Sequence, residues 1–212
     1  MRKQATPLKI VIAPDSFKES LSAPEVAAAL ARGVKRAAPT AQVICVPMAD
    51  GGEGTVQAVL GATQSERRSN WVQNALGQPI EAQWALLPDQ TAVIEMACAA
   101  GLEHIAPAQR DALHATTYGV GELIQHALDT GSRHIVLGLG GSATNDAGAG
   151  MLSALGLALL DANHLPLAVG GAALATLARI DSSRLDPRLK QTKITIASDV
   201  NNPLCGPRGA SA

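Results

Sequence analysis

Residues Ile135–Asp146 hold the densest set of chemically capable groups in the chain. An apolar run, Ile135-Val136-Leu137-Gly138-Leu139, opens into Gly140-Gly141-Ser142-Ala143-Thr144-Asn145-Asp146. Gly138, Gly140 and Gly141 remove side chains where a strand is expected to turn sharply into a helix. A turn of this kind presents backbone N–H groups, and those orphan donors together with the helix dipole favour an anion. Ser142, Thr144, Asn145 and Asp146 add hydroxyl, amide and carboxylate groups at the same place. This set suits phosphate and an accompanying metal ion better than a plain turn.

Three further carboxylates recur at equivalent places. Asp15, Asp50 and Asp199 each follow the C-terminal end of an expected strand. Ligands of open α/β sheets bind in the crevice outside those ends, so the three could converge on one site. Each alone also fits a turn or helix-capping aspartate. The glycine turn has a rival reading as well. Gly138-Leu139-Gly140-Gly141-Ser142-Ala143 fits the dinucleotide fingerprint, and Asp161 lies roughly twenty residues on, where a ribose-binding acid belongs. An NAD-dependent oxidoreductase is the alternative. Against it, the following helix is expected to be short and to open on Thr144-Asn145-Asp146, which puts a carboxylate where a pyrophosphate would sit unless Mg²⁺ intervenes. The P-loop pattern is absent.

The elements that must position these residues alternate. Ile10–Ala13 is an expected strand, and Ser22-Ala23-Pro24-Glu25 is a capping box opening a helix to about Ala38. Val43–Val46 is a second strand, leaving through Asp50-Gly51-Gly52-Glu53-Gly54 into a helix from Thr55. Strand–loop–helix repeats imply a parallel sheet covered by helices. Trp71–Val72, Ile80–Leu87 and Thr91–Met96 read as strands joined by tight turns, a mixed or antiparallel patch. Next come a helix over Val120–Asp129, a strand over His134–Leu139 and a helix over Asn145–Leu155. A strand at Leu157–Leu160, a short helix at Gly170–Leu177 and a last strand at Lys193–Ala197 complete the pattern. The expected division is residues 1–80, the start of a first α/β domain, and 81–212, a second.

Bulk properties agree with a compact globular protein. The 212 residues are 47% hydrophobic and 17% charged with a net charge of −1, which gives no electrostatic reason to expect nucleic acid or a membrane surface as partner. Aromatic residues make up only 2%, so the core must be aliphatic. Cys45, Cys98 and Cys205 are widely spaced and lack metal-ligand spacing, as in a reduced cytoplasmic chain. No signal peptide or apolar run of membrane-spanning length is visible.

Four blocks carry a family resemblance. They are Ile10–Ser22 (IVIAPDSFKESLS), Ala49–Thr55 (ADGGEGT), Gly138–Asp146 (GLGGSATND) and Asp199–Ala210 (DVNNPLCGPRGA). Together with Ala92–Ala97, Thr116–Gly119 and Asp186–Leu189, they make the chain resemble the glycerate kinase family of the bacterial glycerate 2-kinase type. The resemblance implies two α/β domains, a Rossmann- or flavodoxin-like parallel-sheet domain and an inserted second domain with a mixed sheet. It implies ATP- and Mg²⁺-dependent phosphorylation of D-glycerate, with 2-phosphoglycerate favoured over 3-phosphoglycerate as product. Departures are few: Ala147 stands where members often have Gly, Cys98 and Ala100 replace Ala and Ser, and Ser198 replaces Cys. Members also run considerably longer, so this chain is expected to be an N-terminal, truncated portion, and an inactive fragment is a further alternative.

Within that resemblance, ATP is assigned to Gly138, Gly140, Gly141, Ser142, Ala143, Thr144 and Asn145. Asp146, with Asp50 or Asp199, is the expected Mg²⁺ anchor, since hard Mg²⁺ prefers carboxylate and phosphate oxygen. Asp15 or Asp199 would accept the glycerate hydroxyl proton, and Lys18 would neutralise phosphate or hold the glycerate carboxylate. Ser16, Asp50, Gly51, Gly52, Glu53 and Arg110 would contact glycerate, although for Arg110, the weaker candidate, a surface salt bridge is the favoured reading. Glu95, ending an apolar strand, fits an inter-domain hydrogen-bonding residue as well as a catalytic one. The expected partners are glycerate and ATP, and a homodimer is left open.

Overall fold

The computed structural model of the chain describes residues 8–17, 20–198, 203 and 206–209. Strands β1 (Lys9–Ile12) and β2 (Gln42–Cys45) pair in parallel as a two-stranded sheet. Helix α1 (Ala23–Ala37) connects them, and the Glu25 carboxylate accepts hydrogen bonds from the Ser22 N–H at 2.8 Å and the Ser22 hydroxyl at 2.7 Å. This is the reciprocal start the sequence calls for. Helix α2 (Thr55–Ala62) follows β2.

The larger sheet has the order β3-β4-β5-β6-β9. Its members are β3 (Glu66–Gln73), β4 (Pro79–Leu86), β5 (Thr91–Glu95), β6 (His134–Gly138) and β9 (Lys193–Ala197). The pairs β3–β4 and β4–β5 are antiparallel, whereas β5–β6 and β6–β9 are parallel. The mixed patch is therefore present and continues directly into parallel strands. β3 is longer than expected because it is an edge strand, where Glu66 and Arg67 meet water without cost. β3 thus already belongs to the larger sheet, apart from β1 and β2.

Short helix α3 (Ala97–Ala100) and helix α4 (Tyr118–Asp129) cover one face of that sheet. Trp84, Ile94, Leu123, Ile124, Leu128, Ile135 and Leu137 form its dry centre, each no more than 2% exposed. Trp84 places its indole N–H on Asn70 Oδ1 at 2.9 Å, which satisfies the one polar atom it buries. On the opposite face, Val56 of α2 packs against Ala85 and Val93.

Helix α5 (Ala149–Ala154) begins later than the expected Asn145. Ala147 and Gly148 take left-handed backbone, φ +52° and +79°, so no helix can pass through them. The small antiparallel sheet of β7 (Ala158–Leu160) and β8 (Arg179–Asp181) lies apart from the main one. Residues Gly171–Thr176 form a 3₁₀ turn where a short helix is expected. No helix among the described residues is long and apolar enough to cross a membrane.

Candidate active site at the strand ends

The three parallel strands of the large sheet finish in register, with Glu95 beside Gly138 and Gly138 beside Ala197. The turn Gly51–Gly54, arriving from β2, lies across this edge. A Cβ on Gly51 would stand 2.3 Å from the Ala197 carbonyl oxygen. One on Gly138 would stand 2.3 Å from the Gly51 oxygen, and one on Gly140 would stand 2.5 Å from the Gly52 Cα. Gly140 N–H donates to the Gly51 oxygen at 3.2 Å. The two glycine turns therefore interlock backbone to backbone. Packing explains the missing side chains of Gly138 and Gly140, where the sequence suggested phosphate contact. The sequence gives no sign of this pairing, since glycine reads the same for either purpose.

This contact redistributes the expected anion donors. Gly140 N–H is spent on Gly51, and Ala143 N–H is spent on the Ala100 oxygen at 2.7 Å. Among the described residues, the N–H groups of Gly141, Ser142 and Thr144 and the hydroxyls of Ser142 and Thr144 have no acceptor. Ser142, Thr144 and Asn145 line a recess of about 230 Å³ with Met96, Leu139, Ala147 and Gly148. The cradle is thus narrower than expected, and Thr117 and Asp146 complete its lining.

Asp146 has a different place from the one expected of a metal anchor. It is 1% exposed. Its Oδ2 accepts from the Thr117 N–H at 2.8 Å, the Thr117 hydroxyl at 2.9 Å and the Gly150 N–H at 3.0 Å. Oδ1 accepts from the Gly148 N–H at 3.0 Å. A carboxylate offers about four lone-pair sites, and these donors occupy them. Asp146 ties the start of α4 to the loop that carries Ser142 and Thr144, and this donor set does not fit a cation. Thr117, its principal partner, belongs to the Thr116–Gly119 block, but its link to Asp146 was not legible because the two lie 29 residues apart in the chain.

Asp50 fits a cation better. It is exposed, and Oδ1 accepts the Gly52 N–H at 2.9 Å while no described group donates to Oδ2. Asp15 is exposed beyond β1 and caps Ser16 N–H at 2.6 Å. Lys18 and Asp199 lie outside the described residues, although Ala197, two positions before Asp199, touches Gly51. Glu53 is exposed on the same turn. Its charge, after partial burial, helps hold the Glu103 carboxyl above its usual range. Arg110 sits on an exposed loop and pairs with no carboxylate among the described residues, so the expected salt bridge is absent there.

Glu95 makes the hydrogen bonds of one of its two readings. At 4% exposure it accepts from the Gly54 N–H at 3.2 Å through Oε2 and from the Val56 N–H through Oε1. Burial, opposed by these donors, pushes its carboxyl above the ordinary value. Cys98 lies 3.9 Å away, and its own burial followed by the Glu95 charge pushes the thiol up to about 12.

The dinucleotide alternative lacks its geometry. The glycine turn does not open a helix, and β7 pairs with β8 instead of lying parallel to β6. Asp161 caps its own turn by accepting from Asn163 and Leu165 N–H.

Fold and site define an α/β protein with a polar, glycine-built recess at the carboxyl edge of its sheet. Comparison with known proteins narrows this. The profile of the glycerate kinase family matches residues 10–212. The chain is 54% identical to glycerate 2-kinase of Escherichia coli K12 over 205 residues, covering 96% of this chain and 54% of that protein. It is 53% identical to glycerate kinase of Haemophilus influenzae over 206 residues, covering 97% and 54%. A crystal structure from Salmonella typhimurium LT2, of a protein assigned as glycerate kinase 2, superposes with a TM-score of 0.86 at 53% identity, covering 98% of this chain and 56% of that one. The chain belongs to the glycerate kinase family, and it spans about half the length of these relatives.

Proposed function

We propose that residues 1–212 supply the phosphate-binding and hydroxy-acid-binding turns of an ATP-dependent glycerate kinase that forms 2-phosphoglycerate from D-glycerate. The observation that carries the reading is the unspent donor set at Gly141, Ser142 and Thr144, beside a second glycine turn, in a member of this family. Phosphoryl transfer asks a protein mainly for positioning and for positive potential around the transferred group. The free N–H groups and hydroxyls supply that potential for the ATP phosphates.

Asp50, together with Asp199, would hold Mg²⁺, which would neutralise charge on the phosphate oxygens. Lys18 adds a cation, and Ser16, Gly51, Gly52, Glu53 and Arg110 enclose the hydroxy acid. Asp15 or Asp199 accepts the proton of the attacking hydroxyl. We further propose two α/β units, one built on β1 and β2 and one on the large sheet, and a cytoplasmic setting. Whether the polypeptide acts alone or as a homodimer is part of the same proposal.

The test is ADP release from ATP with and without D-glycerate, by this chain and by a version extended to the relatives' length. Direct consumption of the product by enolase identifies 2-phosphoglycerate, whereas 3-phosphoglycerate first requires a mutase. Lys18→Ala and Asp199→Asn should each lower turnover by orders of magnitude while far-UV dichroism is unchanged. Near-normal turnover in both removes the assigned roles, and D-glycerate-dependent NAD⁺ reduction without ADP release removes the kinase reading.

A further inference from the structure

The strand-end residue Glu95 carries an inference that rests on this reading of the site. Helix α2 starts at Gly54, which has no side chain and therefore cannot cap its own helix. Its first N–H groups are satisfied instead by a carboxylate 41 and 39 residues away in sequence. A local Ser or Asp would cap the helix as well, without taking a charge out of water. What a local cap cannot do is fasten the turn to the sheet.

Glu95 can, because it is the last residue of β5 and pairs with Gly138 of β6, the strand that carries the facing glycine turn. Its two carboxylate oxygens take Gly54 and Val56, one on each side of the helix start. The facing glycine contact, Gly51 against Gly138, holds the other end of the same turn. Between these two fixings lie Gly52 and Glu53, with Asp50 immediately before them. Their backbone and carboxylate groups are those assigned to the hydroxy acid and its metal ion.

We propose that Glu95 is a positioning residue: it fixes the Asp50–Gly54 turn against the strand ends and so sets the geometry with which that turn receives the hydroxy acid. It touches no substrate itself. Its side chain acts through the backbone it holds.

Glu95→Gln tests this, because the amide keeps the shape and one acceptor but turns an NH₂ toward one of the two backbone donors. Amide hydrogen exchange in the 212-residue chain should accelerate tenfold or more at Gly54 and Val56, with Ile94 and Leu137 unchanged. D-Glycerate binding, followed by calorimetry, should weaken about tenfold while ATP affinity stays within twofold. Glu95→Asp retains the charge with a shorter reach and should fall between wild type and Glu95→Gln in both measurements. It also serves if the glutamine variant fails to fold. Unchanged exchange at Gly54 and Val56 overturns the proposal, and so does faster exchange with unaltered glycerate affinity, which would make Glu95 a helix cap only. If neither the wild-type chain nor its extended form binds D-glycerate, the kinase reading fails by itself, and the exchange data alone decide whether Glu95 holds the turn.

Discussion

Replacing Gly138 by alanine tests whether the two glycine turns truly interlock. The added methyl would stand 2.3 Å from the Gly51 oxygen and 3.1 Å from its carbonyl carbon, both backbone atoms that cannot rotate away. Gly138 cannot recede either, because its strand is paired on both sides, to Glu95 and to Ala197. The Gly51–Gly54 turn must therefore yield. Forcing one methyl into such a contact costs about 1–3 kcal/mol. Moving the turn also surrenders the Gly140 N–H···O Gly51 bond, worth about 1 kcal/mol. The expected loss is about 2–4 kcal/mol.

Two controls set the scale for this value. Gly54→Ala meets no atom within 4 Å but holds φ +91°, so it should lose only the left-handed penalty of about 1–2 kcal/mol. Gly33→Ala, inside α1 with open space around it, should gain about 0.5–1 kcal/mol. Urea titrations followed by the buried Trp84 and by far-UV dichroism would give the midpoints, compared at equal slope. If Gly138→Ala costs no more than Gly54→Ala, the loop-on-loop contact does not hold in solution and its role in shaping the site falls.

Two other expectations follow from buried groups. Asp146→Asn should lose about 2–3 kcal/mol in EDTA as fully as in Mg²⁺, since one carboxylate oxygen facing an N–H donor becomes an NH₂; a midpoint that falls only with Mg²⁺ present would restore the metal-anchor reading. Cys98, its thiol pushed up to about 12, should resist iodoacetamide even near the ordinary thiol pKa of about 8.5, while exposed Cys45 is alkylated. Peptide mapping by mass spectrometry checks this, and equal labelling of the two refutes it.

What the sequence showed, and what it hid, divides along a physical line. The Ser22–Glu25 capping box, the strands at Lys9–Ile12 and Gln42–Cys45, and the helix stop near Gly131 were legible because each depends on neighbours a few residues away. The late start of α5 was hidden. Asn145 and Asp146 look like a helix opening, yet Asp146 points inward to Thr117 and leaves Ala147 in left-handed backbone. Strand β8 and helix α3 also went unread, being only 3 and 4 residues long and set by tertiary contact. At the site, the residue types that bind phosphate were visible. Which N–H groups remain unspent was not, because Gly51 and Ala100 claim two of them from distant segments.

The place of β9 at the end of the large sheet bears on how the protein forms as it leaves the ribosome. β3, β4 and β5 are joined by tight turns and can pair as soon as they are made. Lys193 must instead find His134 after the whole β7–β8 excursion has been synthesised. Non-local parallel pairing of this kind is slow. A nascent chain would thus hold the open rim of β6 exposed until residues 193–197 have emerged, and only then would Ala197 arrive to brace Gly51.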